Sequence, residues 1–316
     1  MRGARVLVTG AGGFIGANLA RYLVSRGAQV SVLLRDTHRA WRLQDSIRDF
    51  DVRVGDLENY EELEKNIRDI APEYVFHAAM YGGYPAQQDM ARMMRVNVLG
   101  SEKLFSLLEN LGSVKKVINF GSSSEYGKKQ MPMREDDLCQ PETPYAISKL
   151  AQTYIGRSYA LKGLPLVTLR LFSVFGPYEE PKRLITDTMT ALVRHTTLNA
   201  SSPEPKRDFI HIDDVTRAAI LFATSDLKSG EIINIGSGEE HSIGEVVDTS
   251  MRVSGVSIPC AWGSVAGRSF DTNRWVADIG CAREHGWRPA VSFDDGLLKT
   301  YEWFRDSIDL YAKREA

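Results

Sequence analysis

The run Val8-Thr9-Gly10-Ala11-Gly12-Gly13-Phe14-Ile15-Gly16 restricts the fold of this chain more than any other stretch. It follows a short apolar segment that starts at Arg5 and leads into Leu19, Leu23 and Val24 at helical spacing. A strand, a glycine turn and a helix therefore meet at one point. Gly10 permits the tight turn, Gly13 lets the backbone approach a pyrophosphate, and Gly16 allows close helix–strand packing. The first helical turn, which includes Phe14 and Ile15, offers free N–H groups and the positive end of a dipole to phosphates. In this strand–turn–helix setting the motif reads as a dinucleotide site.

Apolar runs and amphipathic stretches alternate through the first half. Residues 29–34, 52–54, 74–77, 116–120 and 166–171 are short and nearly continuous in Val, Ile and Leu. Parallel strands buried on both faces require that pattern. Between them, Tyr60, Leu63, Ile67 and Ile70 form one helical stripe, and Leu104, Leu107, Leu108 and Leu111 form another with Gly112 as its expected stop. Pro144 opens a further helix and Gly163 ends it. The alternation predicts an α/β fold, a doubly wound parallel Rossmann sheet over residues 1–171. A smaller C-terminal α/β substrate lobe is expected over 172–316, with part of 208–240 returning to the sheet. Residues 196–206 read as a polar, proline-broken loop.

The formal net charge of -2 points away from nucleic-acid and membrane partners, so an anionic substrate would need a local arginine cluster. Three cysteines, Cys139, Cys260 and Cys281, show neither CxxC pairing nor metal-ligand spacing and read as reduced thiols, with no metal site expected. No signal-peptide core and no apolar stretch of about 18 residues is present, so a cytoplasmic location is expected.

The second strand ends Leu33-Leu34-Arg35-Asp36. A guanidinium at Arg35 suits the 2′-phosphate of NADP, with His38, Arg39 and Arg42 nearby. The alternative is that Asp36 binds the ribose hydroxyls of NAD. NADP is the preferred expectation, with NAD possible. Asp56 either meets the adenine edge or caps the next helix.

Tyr145 and Lys149 lie four residues apart at the start of a helix and share one face. A tyrosine with a pKa of about 10 is a poor acid–base catalyst at neutral pH. A neighbouring ammonium favours its phenolate. The run Gly121-Ser122-Ser123-Ser124-Glu125-Tyr126-Gly127 follows the fifth strand and brings hydroxyls to the carboxyl edge of the sheet, where a substrate oxygen would bind.

These motifs together resemble the extended short-chain dehydrogenase/reductase superfamily, in its nucleotide-sugar epimerase/dehydratase branch. The likeness covers nearly the whole chain and includes Asp56-Leu57, His77-Ala78-Ala79, Asn97, the segment 170–177, the segment 207–215 and Asn234-Ile235-Gly236. It implies Tyr145 as acid–base and Lys149 as its electrostatic partner and ribose ligand. Ser122 matches the catalytic Ser/Thr, with Ser123 a close second. It further implies that Ala78 and Ala79 line the dinucleotide, that Asn97 braces the active-site helix, and that Val174 meets the nicotinamide amide through its backbone. Arg207 and Arg268 match arginines used on a substrate diphosphate. Tyr81, in the loop 80–85, stacks on the hexose or packs internally. A homodimer through the helix before Gly112 and the Tyr-Lys helix is expected.

Two departures shape the functional reading. Dehydrating members carry Asp-Glu where this chain has Ser123-Ser124, so a 4,6-dehydratase is disfavoured. Ser173 replaces the Asn before Val174. The preferred expectation is an NADPH-dependent 4-ketoreductase of a nucleotide-linked 4-keto-6-deoxyhexose, led by Arg35. The alternative is a redox-neutral C4-epimerase of a nucleotide-diphosphate sugar. A non-catalytic dinucleotide sensor ranks last, because Tyr145 and Lys149 are both present.

Overall fold

The computed structural model describes residues 1–83, 87–267 and 272–312. It opens with β1 (Arg5–Thr9), α1 (Phe14–Ser25), β2 (Gln29–Leu34), β3 (Asp51–Val54), α2 (Tyr60–Ile70) and β4 (Tyr74–His77). A helical stretch follows in three parts: α3 (Met90–Met93), a π-helical segment Met94–Gly100, and α4 (Ser101–Glu109). Next come β5 (Lys116–Ser122), α5 (Pro144–Leu161) and β6 (Leu166–Leu171). Further along, β7 (Ser173–Phe175), α6 (Leu184–Arg194), β8 (Leu198–Ala200), β9 (Lys206–Arg207), β10 (Phe209–His211), α7 (Ile212–Ala223) and β11 (Ile232–Ile235) are followed by β12 (His241–Ser242), α8 (Ile243–Ser254), β13 (Cys260–Trp262), α9 (Gly280–Glu284) and α10 (Phe293–Ser307).

Seven strands form one sheet in the order β11-β6-β5-β4-β1-β2-β3. The pairings of β1 with β2 and β4, of β2 with β3, and of β5 with β4 and β6 are parallel. The predicted Rossmann sheet is present. Chain progression runs outward from β1 through β2 to β3, then restarts on the other side at β4. The carboxyl ends of β1 and β4 therefore flank the point where ligands bind in such sheets. Register puts Val8 opposite Val32 on one side and Phe76 on the other, and all three are buried. That two-sided burial explains why these strands lack polar alternation.

The chain divides into two compact units. The first comprises 1–127, 135–171 and 216–233; the second comprises 128–134, 172–215 and 234–316. In the first unit, Leu104, Phe105 and Leu108 of α4 pack with Leu7, Val75 and Leu166 of the sheet in one buried cluster. Side chains of that size each contribute about 1.5–3 kcal/mol on burial. Asn59 caps α2 by accepting from Glu62 N–H, while Asp56 accepts from Glu58 N–H in the turn before it. Thr143 caps α5, Pro144 occupies its first turn, and Gly163 follows with a positive φ, as the sequence pattern suggests. The helix before Gly112 stops earlier than expected, with Asn110 as its cap.

In the second unit β7 and β10 pair in parallel, as do β8 and β13, while β9 and β12 are antiparallel. Residues 196–206 are not one loop. Leu198 and Ala200 are buried around an exposed Asn199 and pair with β13. Three residues of alternation beside a Ser-Ser-Pro sequence are too few to stand out as a strand.

Candidate active site

The glycine turn behaves as its residue types demand. Gly10 has φ +68°, and a Cβ there would press into the backbone of Ala78 and Ala79. A Cβ on Gly16 would strike Gly10 O, and one on Gly13 would sit 3.2 Å from the same oxygen. Gly13 is the cap residue of α1 and supplies no side-chain bond, so the N–H groups of the first turn, including those of Phe14 and Ile15, remain for a ligand. Ala78 donates its N–H to Thr9 O (3.2 Å) and Ala79 to Thr9 Oγ1 (3.3 Å). The structure thus brings Gly10, Gly13, Gly16, Ala78 and Ala79 together at the ends of β1 and β4. This cradle, which any side chain would fill, fits a dinucleotide pyrophosphate.

Around it, Arg35 is exposed at the end of β2, and the Asp36 carboxylate accepts from His38 N–H at 2.8 Å. Arg42 is buried, donates to Gly12 O at 3.1 Å and lies over the Trp41 ring. Leu57 is buried under Gly100, where a Cβ would come within 2.8 Å of it.

His77 is fully buried between the Thr9 hydroxyl (2.7 Å at Nδ1) and the Ser101 hydroxyl (2.8 Å at Nε2). Burial, reinforced by the charge of Lys149, drives its pKa down to about 3, so the imidazole is a neutral tie between β1, β4 and α4.

The candidate catalytic group sits on α5 and at the end of β5 and the turn after it. Tyr145 is half-buried, with its hydroxyl 3.4 Å from Met80 Sδ. One turn later Lys149, 3% exposed, donates from Nζ to Phe120 O (2.5 Å) and to Gln152 Oε1 (2.6 Å). An ammonium carries three donors, so one stays available for a ribose hydroxyl. Burial pushes the Lys149 pKa down to about 8, and the Glu125 carboxylate opposes that fall. Gln152 donates onward to Asn119 Oδ1 (2.8 Å), and Asn119 to Thr168 Oγ1 (3.1 Å), which anchors the lysine to the sheet.

Ser122 is half-buried; its Oγ lies 2.8 Å from Ser124 Oγ and accepts from Ser124 N–H. Ser123 is buried. Asn97, buried in the π segment, donates to Ser148 Oγ (2.9 Å) and to Tyr81 O (2.7 Å), and accepts from Tyr81 N–H (2.7 Å). It therefore ties α5 to the loop after β4. The Tyr81 ring packs on the buried cluster with the Arg92 guanidinium 4.9 Å from its centroid.

Three of the described residues expected at the site belong to the second unit. Ser173 donates its N–H to Asp208 O (2.9 Å), and Val174 donates its N–H to Phe172 O (2.9 Å). The Arg207 guanidinium lies 5.2 Å from the centroid of the Trp275 ring. Arg268, and Tyr84 and Pro85 of the loop after Tyr81, lie outside the described residues. Beside Arg207, the buried Asp208 carboxylate accepts from Ser237 N–H and Oγ (2.6 and 2.7 Å), Gly238 N–H (3.0 Å) and Ala277 N–H (3.0 Å). Burial pushes its pKa up to about 6 against those four donors.

Sequence reasoning missed Gln152, Met80 and the Glu125–Arg170 pair. The only signal for that pair was one arginine inside an otherwise apolar strand and one acid inside a serine run.

Such a sheet, glycine cradle and Ser/Tyr/Lys group define a dinucleotide-dependent enzyme of the short-chain dehydrogenase type. The chain belongs to the NAD-dependent epimerase/dehydratase family, whose model matches residues 6–236. Among its relatives, a UDP-glucuronate 4-epimerase of Thermodesulfobacterium geofontis is 28% identical, over 96% of this chain and 97% of that one. A probable GDP-L-fucose synthase of Oryza sativa subsp. japonica is also 28% identical, over 97% of this chain and 94% of that one. A solved structure of UDP-glucuronic acid 4-epimerase from Bacillus cereus, in complex with UDP-glucuronic acid and NAD, superposes with a TM-score of 0.86 at 26% identity. That match covers 96% of this chain and 99% of the other. No helix among the described residues is long and apolar enough to cross a membrane.

Proposed function

We propose that this protein is a redox-neutral C4-epimerase of a nucleotide-diphosphate sugar, with UDP-glucuronic acid the first substrate to test and NAD the bound cofactor. The observation that carries this reading is the pairing of a Ser/Tyr/Lys group with relatives that are 4-epimerases, one of them solved with NAD. It reverses the order suggested by Arg35, which placed an NADPH-dependent ketoreductase first. Elimination chemistry is disfavoured. Ser124 in the serine run bonds to Ser122, and the acid of that run, Glu125, is buried against Arg170.

The residues divide the work as follows. Gly10, Gly13, Gly16 and the start of α1 hold the pyrophosphate. Lys149 holds a ribose hydroxyl with its remaining N–H. Ser122 hydrogen-bonds the C4 oxygen of the sugar. Tyr145 accepts the C4 hydroxyl proton during oxidation and returns it after the keto sugar has turned over. A nicotinamide dinucleotide held by these residues would supply reversible hydride transfer at C4. The Lys149 ammonium stabilises the phenolate before the proton is taken and again after it is returned. Arg207 and Arg268 hold the substrate diphosphate, and the protein is a homodimer through α4 and α5.

The test is incubation of the purified protein with UDP-glucuronic acid and no added cofactor, followed by NMR of the sugar. The C4 epimer is the expected product, and denatured protein should release NAD. Absence of conversion, together with NADPH-consuming reduction of a nucleotide-linked 4-keto-6-deoxy sugar, would reinstate the reductase. Release of NADP would return Arg35 to the role of phosphate ligand.

A further inference from the structure

Glu125 lies outside the roles assigned so far, yet its carboxylate touches three elements of the catalytic unit. It is fully buried. Oε1 accepts from Ser122 N–H (2.7 Å) and from Thr153 Oγ1 (3.1 Å), and Oε2 accepts from Arg170 Nε (2.8 Å). Ser122 is the candidate catalytic serine, Thr153 stands one turn beyond Lys149 on α5, and Arg170 lies in β6. Room for this reach comes from Gly121, where a Cβ would sit 2.7 Å from Glu125 Oε1. Arg170, itself buried, stacks 4.5 Å from the Tyr126 ring centroid and also donates to Cys139 Sγ at 3.3 Å.

We infer that Glu125 is a positioning residue for the reaction. Its carboxylate sets the backbone of Ser122 against α5, and its charge keeps the Lys149 ammonium protonated at neutral pH. Arg170 alone could not do this, because a lone buried guanidinium would repel the ammonium. A neutral side chain could hold Ser122 but would leave Lys149 to the full effect of burial. Lys149 bonds Gln152 on its own helix and Phe120 O on β5, with Asn119 behind Gln152 and Tyr145 one turn back on α5; its charge is felt at His77 on β4, and it feels that of Glu125, which Arg170 on β6 pairs. Burial keeps His77 neutral; burial also pushes the Glu125 carboxyl up, but the Arg170 guanidinium and the Ser122 N–H favour its ionised form, so Glu125 is the anion of this set.

The inference rests on Lys149 as the partner of Tyr145, but its deciding measurement is a titration that needs neither substrate nor turnover. In protein labelled with 13Cε-lysine, the Lys149 signal is identified by its loss in Lys149→Met and then titrated. Glu125→Gln should lower the Lys149 titration midpoint by about one pH unit or more, because Arg170 is then unopposed. Glu125→Gln combined with Arg170→Met removes both charges and protects against misfolding of the single variant. It should lower the midpoint by a smaller amount. Glu125→Asp should leave the midpoint near that of the parent while reducing kcat, since the shortened acid cannot reach Ser122 N–H. A midpoint that stays put in both charge-removing variants overturns the inference even if Tyr145→Phe proves inactive. A shifted midpoint alongside an active Tyr145→Phe would instead overturn the acid–base assignment.

Discussion

Replacing Lys149 with methionine should abolish turnover and, at neutral pH, make the protein more stable. The reasoning starts from burial. Holding the ammonium at a pKa of about 8 instead of the ordinary 10.5 costs the fold about 3 kcal/mol, at about 1.4 kcal/mol per pH unit. Methionine fills similar space without charge. It leaves Phe120 O and Gln152 Oε1 each short of one donor, at about 1 kcal/mol apiece. The balance favours the variant by about 1 kcal/mol at neutral pH. The sign of the pH dependence follows from proton binding. Between the folded and unfolded midpoints the unfolded lysine holds a proton that the folded one has released. The parent therefore gains stability as pH rises from about 8 to 10.5. The variant has no such gain, so the two stability curves should cross near pH ~9, with the parent ahead above that. Urea unfolding of both proteins at neutral pH and at about pH 10 measures the effect. A variant that is less stable at neutral pH, by an amount that does not change with pH, would refute the claim that the ammonium is held against its burial.

Three further outcomes are expected. Tyr145→Phe should lower kcat by about 10²–10⁴-fold while leaving KM nearly unchanged; a smaller loss would remove Tyr145 as the proton carrier. Gly16→Ala forces a methyl into Gly10 O and should cut dinucleotide affinity at least about tenfold, measured by calorimetry; unchanged affinity would separate the turn from cofactor binding. Asp208→Asn should destabilise the second unit by about 2 kcal/mol, because either amide orientation turns an NH₂ toward N–H donors at Ser237 or at Gly238 and Ala277. An unaltered urea midpoint would show that those contacts are dispensable.

The parts of this molecule legible in the sequence are those whose causes are local. Gly10 must turn with positive φ next to Ala78, Pro144 must begin a helix, and Tyr145 must share a face with Lys149, so each feature is written within a few residues. What stayed hidden depends on residues far apart. Glu125 and Arg170 are separated by forty-five positions, and only the pairing of β5 with β6 makes a buried acid and a buried arginine tolerable. Gln152 looks like an ordinary helix residue until the sheet places Asn119 behind it, fixing the amide so that its oxygen faces Lys149. The strand at 198–200 exists because β13 comes back to meet it, not because three residues insist on it. The same limit explains why Arg35 pulled the functional reading toward a reductase. A guanidinium at the end of β2 bears on the adenosine half of a dinucleotide, whereas the outcome at C4 depends on whether the keto sugar turns over before the hydride returns. In the roles proposed for them, Tyr145, Lys149 and Ser122 would serve both outcomes with the same proton chemistry. The deciding variable is therefore the freedom of the sugar above the nicotinamide, which isotope exchange can follow: in a C4-epimerase the hydrogen at C4 should return to the same carbon without loss to solvent.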